Sequence, residues 1–173
     1  HIRNFFVAQE LLEDARLMVA AVEDGEVAEL GALFEFESDD ARDDIARFVN
    51  PTTVVCAFTD DTADPDYAPL RANFELLQSS TDQDGRPLNV VALPTPGWVG
   101  DEEGRLPASY ANFYISNAAV IVPTFNDPND RIALGTLGEL FKDRPVIGIH
   151  AVDLVLGFGT LHCLTQQEPA PRP

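Results

Sequence analysis

The sequence predicts an α/β fold assembled from repeated ββαβ units. Residues 53–93 alternate strand, helix and strand patterns. Residues 111–149 run strand, strand, helix, strand. One ββαβ unit and most of another thus occur in succession. Units of this kind cannot bury their own faces and stack as repeats.

The elements are expected in the following order. Ala8, Leu11, Leu12, Ala15, Met18, Val19 and Val22 recur at helical spacing, so residues 8–22 predict an amphipathic helix that Gly25 stops. Val27, Leu30, Leu33 and Phe34 extend to a second helix, and the chain then turns acidic from Glu35 to Asp44. Thr53 to Phe58 is β-branched and apolar, which predicts a buried strand. A loop of Thr, Asp, Ala and Pro follows. Tyr67, Leu70, Phe74 and Leu77 share one helical face, and Asp84-Gly85 marks a turn. Leu88 to Leu93 predicts a strand and Pro94 to Pro107 a long loop. Asn112–Ser116 and Val120–Phe125 predict a hairpin. Asp127-Pro128 opens a helix, with Asp127 as N-cap, and Ile132, Leu134, Leu137, Leu140 and Phe141 supply its apolar side. Pro145 to Ile149 closes the unit as a strand.

Composition bounds the function. At 173 residues with 45% hydrophobic residues, the chain has room for one domain with a core. No run approaches the roughly 18 apolar residues needed to span a bilayer. Glu10, Glu13, Asp14 and Arg16 break the N-terminal apolar run, unlike a signal peptide. The expectation is a soluble cytoplasmic protein. Net charge is −18, which disfavours nucleic acid and anionic membranes and suits a small cationic substrate.

Two cysteines are too few for a disulfide framework, and neither they nor His1, His150 and His162 show metal-ligand spacing. No metal or cofactor is expected. Cys56 lies in the apolar run Val54-Val55-Cys56-Ala57-Phe58 and reads as core. Cys163 lies in Gly157-Phe158-Gly159-Thr160-Leu161-His162-Cys163-Leu164-Thr165-Gln166-Gln167. Gly157 and Gly159 lead into a thiol that a Gly-marked turn could present to a cleft, as a nucleophile requires. The competing reading is a structural cysteine near the C-terminus.

Three motifs, in order, resemble the agmatine deiminases. They are Asp43-Asp44-Ile45-Ala46-Arg47-Phe48-Val49; Ala108 to Asn117 with Val120-Ile121-Val122-Pro123 and Asn126-Asp127-Pro128-Asn129-Asp130; and His162-Cys163-Leu164-Thr165-Gln166-Gln167. The resemblance runs from about residue 38 to the end. It implies a partial pentein-type α/β propeller of about two ββαβ modules (residues 38–173), preceded by a helical segment (residues 1–37) whose relation to the fold the sequence leaves open. It further implies cofactor-free hydrolysis of agmatine to N-carbamoylputrescine and ammonia, within polyamine and putrescine biosynthesis. Cys163 would be the nucleophile, Asp43 and more weakly Asp39 would grip the guanidinium, and Gly157 and Gly159 would support the loop. The two-module span leaves apolar faces that pairing with a second copy, as a homo-oligomer, would cover.

One departure stands out. The family pattern places a histidine two residues before the aspartate, whereas this chain has Ala41. General acid–base catalysis contributes about 10²–10⁴-fold, and alanine cannot supply it. His162 adjoins Cys163, but neighbours on an extended chain point to opposite sides. A catalytically inactive remnant serving as a binding or oligomerisation module, and an arginine-directed deiminase, are therefore carried as alternatives.

Overall fold

A computed structural model describes residues 45–82, 84–102 and 104–166. The two N-terminal helices and the boundary at residue 38 lie outside the described residues. Within them the chain forms two complete ββαβ modules. The first comprises β1 (Ala46–Asn50), β2 (Thr53–Phe58), α1 (Tyr67–Ser79) and β3 (Asn89–Pro94). The second comprises β4 (Tyr114–Ile115), β5 (Val120–Thr124), α2 (Asn129–Leu140) and β6 (Val146–His150). Each module makes a three-stranded sheet, ordered β1-β2-β3 and β4-β5-β6. In both, the first pair is antiparallel and the second pair parallel, bridged by the helix. A parallel pair needs such a crossover, which explains why each helix sits between its two parallel strands.

The central strand β2 is buried at five of its six residues. Both its faces are covered, so its sequence is continuously apolar rather than alternating. Under α1, Leu70 is buried with Ile45, Cys56 and Ala57, and Phe74 and Leu77 pack against them. Phe74 also meets the Phe58 ring at 5.0 Å between centroids. The expected turn forms at Gly85, whose φ of +76° is favourable for glycine. Asp82 organises that turn by accepting the Asp84 and Arg86 N–H groups, both at 2.9 Å.

In the second module β4 is shorter than the expected Asn112–Ser116. The backbone carbonyls of Asn112 and Phe113 are engaged elsewhere, by the His162 N–H and by Arg47. They are therefore withdrawn from the ladder. The hairpin closes through the Ser116 N–H to the Ala119 carbonyl at 2.9 Å. Asp127 accepts the Asn129 N–H at 2.8 Å, and Asp130 reaches back to the Asp127 N–H at 3.2 Å. The N-cap position falls at Pro128 rather than at the expected Asp127, whose side chain instead closes a turn on the residue two positions on. The packed face of α2 differs from expectation at one residue. Ala133 and Leu137 are fully buried, with Leu134 and Leu140 beside them, while Ile132 is 56% exposed. Residues four apart stack on one face, and Ile132 lies a hundred degrees round from Ala133.

The main core lies between the modules. Val55 and Leu93 of the first sheet pack with Phe113, Val120, Val122, Ala133 and Leu137 of the second module. Both α2 faces of contact, with β3 and β6, contribute to it. Arg47 is buried at the same junction, beside Phe113. Truncating a fully buried residue such as Leu93 to Ala would cost about 2–5 kcal/mol. Among the described residues no helix is long and apolar enough to cross a membrane.

Candidate active site

The chain leaves β6 at His150, makes a short 3-10 turn over Val155–Gly157, and enters the turn that carries Cys163. Phe158 adopts a left-handed conformation with φ of 63°. The left-handed residue is thus the phenylalanine between the glycines. At Gly157 a Cβ would meet open space. Gly159 is different. A Cβ there would approach Cys163 Cβ to 2.7 Å and Cys163 Sγ to 2.8 Å. Only glycine allows the thiol to fold back over this residue.

From Thr160 to Thr165 the chain makes one helical turn. The Leu164 N–H donates to the Thr160 carbonyl at 3.1 Å, and the Thr165 N–H to the His162 carbonyl at 3.0 Å. The Thr165 hydroxyl closes the turn on the carbonyls of Leu161 and His162. The first N–H groups of such a turn have no partner within it. Asn112 supplies one for two of them, from 50 and 51 positions away. Its Oδ1 accepts the His162 N–H at 2.8 Å and the Cys163 N–H at 3.4 Å. Its Nδ2 donates to Cys163 Sγ at 2.9 Å. Asn112 is itself 1% exposed, whereas Cys163 is exposed.

The cysteines therefore have opposite environments. Cys56 is fully buried, and burial pushes its thiol up to about 12. It is a core residue, inert at neutral pH. Cys163 is reachable from solvent and accepts an N–H on its sulfur.

Comparison with known proteins places this geometry. The model of the Porphyromonas-type peptidyl-arginine deiminase family matches residues 21–169. The chain belongs to this family. An agmatine deiminase of Pseudomonas fluorescens is 40% identical, over 80% of this chain and 43% of its own length. Among solved structures, the agmatine deiminase of Enterococcus faecalis superposes with a TM-score of 0.68 at 36% identity, covering 73% of this chain and 40% of that one. The agmatine deiminase of C. jejuni gives 0.63 at 35% identity, covering 70% and 36%. The chain thus spans about two fifths of the length of the relatives it matches. Its α/β modules are those of the pentein fold of these deiminases.

Within this deiminase-family chain, Cys163 and Gly159 come together with Asn112. Gly157 stands apart in the 3-10 turn. Asp39, Asp43 and Ala41 lie outside the described residues. His150 is exposed at the end of β6, and His162 engages Asn112 through its backbone. Among the described residues no three His, Cys, Asp or Glu side chains are grouped to hold a metal. Sequence reasoning missed Asn112 and Arg47. A signal existed for Asn112: a lone amide inside Tyr110-Ala111-Asn112-Phe113, an otherwise apolar or aromatic run, has to find hydrogen-bond partners if it is buried.

Proposed function

We propose that this chain carries the nucleophile-bearing part of an agmatine deiminase, hydrolysing agmatine to N-carbamoylputrescine and ammonia. The observation that carries this reading is the exposed sulfur of Cys163, held by Asn112 within the segment that the family model matches. Agmatine deiminases of 35–40% identity support the substrate. A C. jejuni agmatine deiminase with a serine in place of a cysteine was solved with substrate bound, which accords with a thiol at the reaction centre.

The chemistry follows from the residues. The Cys163 thiolate adds to the guanidinium carbon, forming a C–S bond. One C–N bond breaks, and the nitrogen leaves as ammonia after taking a proton. Water then attacks the amidino-thioether carbon, the C–S bond breaks, and the thiolate returns with the urea product released. Asp43, and more weakly Asp39 four positions earlier in the sequence, would pair with the planar cation, because a carboxylate matches the paired N–H donors of a guanidinium. The acidic chain, at net charge −18, attracts the cation from solution. On this reading the reaction would run in the cytoplasm and contribute to putrescine formation.

The deciding experiment is incubation of the chain with agmatine and measurement of ammonia against a Cys163→Ala control. Cysteine-dependent ammonia release supports the proposal, and equal release from both chains refutes it. A second reading is favoured by Ala41, which stands where the family pattern has histidine. On that reading the chain is a silent deiminase module whose role is binding or assembly. Ala41→His distinguishes the two, since it raises turnover only if the remaining site is assembled. Running the same assay with peptidyl-arginine and free arginine separates the arginine-directed alternative.

A further inference from the structure

We infer that Phe158 is a specificity-determining residue whose ring forms an apolar wall beside Cys163 for the methylene tether of a guanidino compound. This rests on the reading of Cys163 given above, and it assigns the side of the site that the tether occupies.

The backbone at Phe158 singles the residue out. A left-handed conformation is rare outside Gly, Asn and Asp, and a bulky side chain there is strained. Among the described residues, two that are not glycine have a positive φ, Asn126 at 59° and Phe158 at 63°. Asparagine tolerates that conformation, whereas phenylalanine does not. Glycines stand on either side, at Gly157 and Gly159, yet the strained position itself carries a ring. The preceding turn holds it there. The Leu154 and Val155 N–H groups donate to the Ala151 carbonyl at 3.1 and 3.0 Å, and the Phe158 N–H donates to the Val155 carbonyl at 2.9 Å. Val155 is fully buried in the main core.

The ring does not join that core. It is 73% exposed and makes no ring contact among the described residues. Strain that the fold maintains without a packing gain points to function. The location supplies that function. A Cβ at Gly159 would lie 2.8 Å from Cys163 Sγ, so the Phe158 Cα, one step of about 3.8 Å back along the chain, is within about 8 Å of the sulfur. Leu164, which follows Cys163, is exposed as well. The residues adjoining Gly159 and Cys163 in the chain are thus both apolar and both open to solvent.

A substrate whose guanidinium carbon bonds to the sulfur brings the first methylenes of its tether into this neighbourhood. Hydrocarbon gains by leaving water for contact with a ring. A phenyl ring offers no partner to a carboxylate, so it favours a plain alkyl tether over an amino-acid backbone.

Alkylation of Cys163 by two reagents that differ only in their tether tests the inference. They are 2-chloroacetamidine and its N-butyl derivative, each rate being corrected for the reagent's rate with free cysteine. In the wild-type chain the butyl reagent should react about tenfold faster, as partial burial of four methylenes gives. Phe158→Gly should abolish that preference, and Phe158→Leu, which keeps an apolar side chain, should retain part of it. A wild-type chain without the preference, or a Phe158→Gly chain that keeps it, would overturn the inference. Glycine relieves the left-handed strain, so the urea midpoint of Phe158→Gly should equal or exceed that of wild type. A lower midpoint would show that the ring serves the fold, and would also overturn it. Alkylation needs no turnover. A chain that releases no ammonia yet shows the Phe158-dependent preference loses the enzymatic reading and keeps this one, and ammonia release without the preference does the reverse.

Discussion

The Arg47 guanidinium lies over the Phe113 ring, 4.7 Å from its centroid, and donates to the Phe113 carbonyl. Arg47 belongs to β1 of the first module and Phe113 precedes β4 of the second. The pair ties the modules together at the residues flanking Asn112. It also explains how a 5% exposed arginine is tolerated in a core strand. Carbonyl oxygens and an aromatic face replace the water that the charge gives up.

Replacing Arg47 by leucine removes donors from buried carbonyls. The expected loss is about 1.5–3 kcal/mol, the range for hydrogen bonds to charged groups. Urea unfolding should show it as a lower midpoint with a similar slope. Arg47→Lys should recover only part of the loss, since an ammonium lacks the flat fork that stacks on Phe113. A leucine variant as stable as wild type would mean the arginine is not a structural tie.

Labelling should separate the two thiols. Cys56 is raised by burial to about 12, so only about one molecule in 10⁴ carries its thiolate at pH 8. A haloacetamidine reagent at pH 7–8 should therefore modify Cys163 first, and peptide mass spectrometry locates the adduct. Equal labelling of both cysteines in the folded chain would contradict the exposures described above.

Gly159→Ala should damage the cysteine turn specifically. The new methyl group would lie 2.7 Å from Cys163 Cβ, which forces a displacement costing about 1–3 kcal/mol. Cys163 labelling should change at least severalfold. Gly157→Ala, where a Cβ meets open space, serves as the control and should leave labelling near wild type. Similar effects from both substitutions would show that loop flexibility, not the close approach, matters.

Arg105 links the long loop to the start of α1 through Asp64 at 2.9 Å and Asp66 at 3.0 Å. Its hydrogen bond lowers the Asp64 carboxyl below the usual carboxylate range, despite an opposing contribution from desolvation. A carboxylate lowered in the folded state stabilises the fold above its unfolded value. That contribution disappears as pH falls through the folded value. Arg105→Gln should therefore cost about 1 kcal/mol at pH 7, a figure kept small by solvent screening. Thermal unfolding curves of variant and wild type should converge once the pH falls below the lowered Asp64 value. A constant gap across pH would place the effect elsewhere than in the Asp64 charge.

Much of the fold was legible in order and period. Thr53–Phe58 is recognisable because β-branched and apolar residues fill every position, as a strand covered on both faces requires. The α1 face is legible from the spacing of Leu70, Phe74 and Leu77. Two features were not. Ile132 satisfies a loose helical pattern as well as Ala133 does, and only the angle at which α2 meets the sheets selects the alanine. Asn112–Ser116 has strand composition throughout, yet competing partners for its carbonyls leave only Tyr114–Ile115 in the ladder.

By itself, the sequence determined the repeated ββαβ order, the buried character of Cys56 and the candidacy of Cys163, because each depends on residue type and local spacing. The tertiary structure alone decided that Asn112, 51 positions away, holds the Cys163 turn, and that Arg47 secures the residues flanking Asn112 from the neighbouring module. Those contacts arise where separate sheets meet. No local pattern encodes them, since a hydrogen bond depends on the position of its partner in space and not on its distance along the chain.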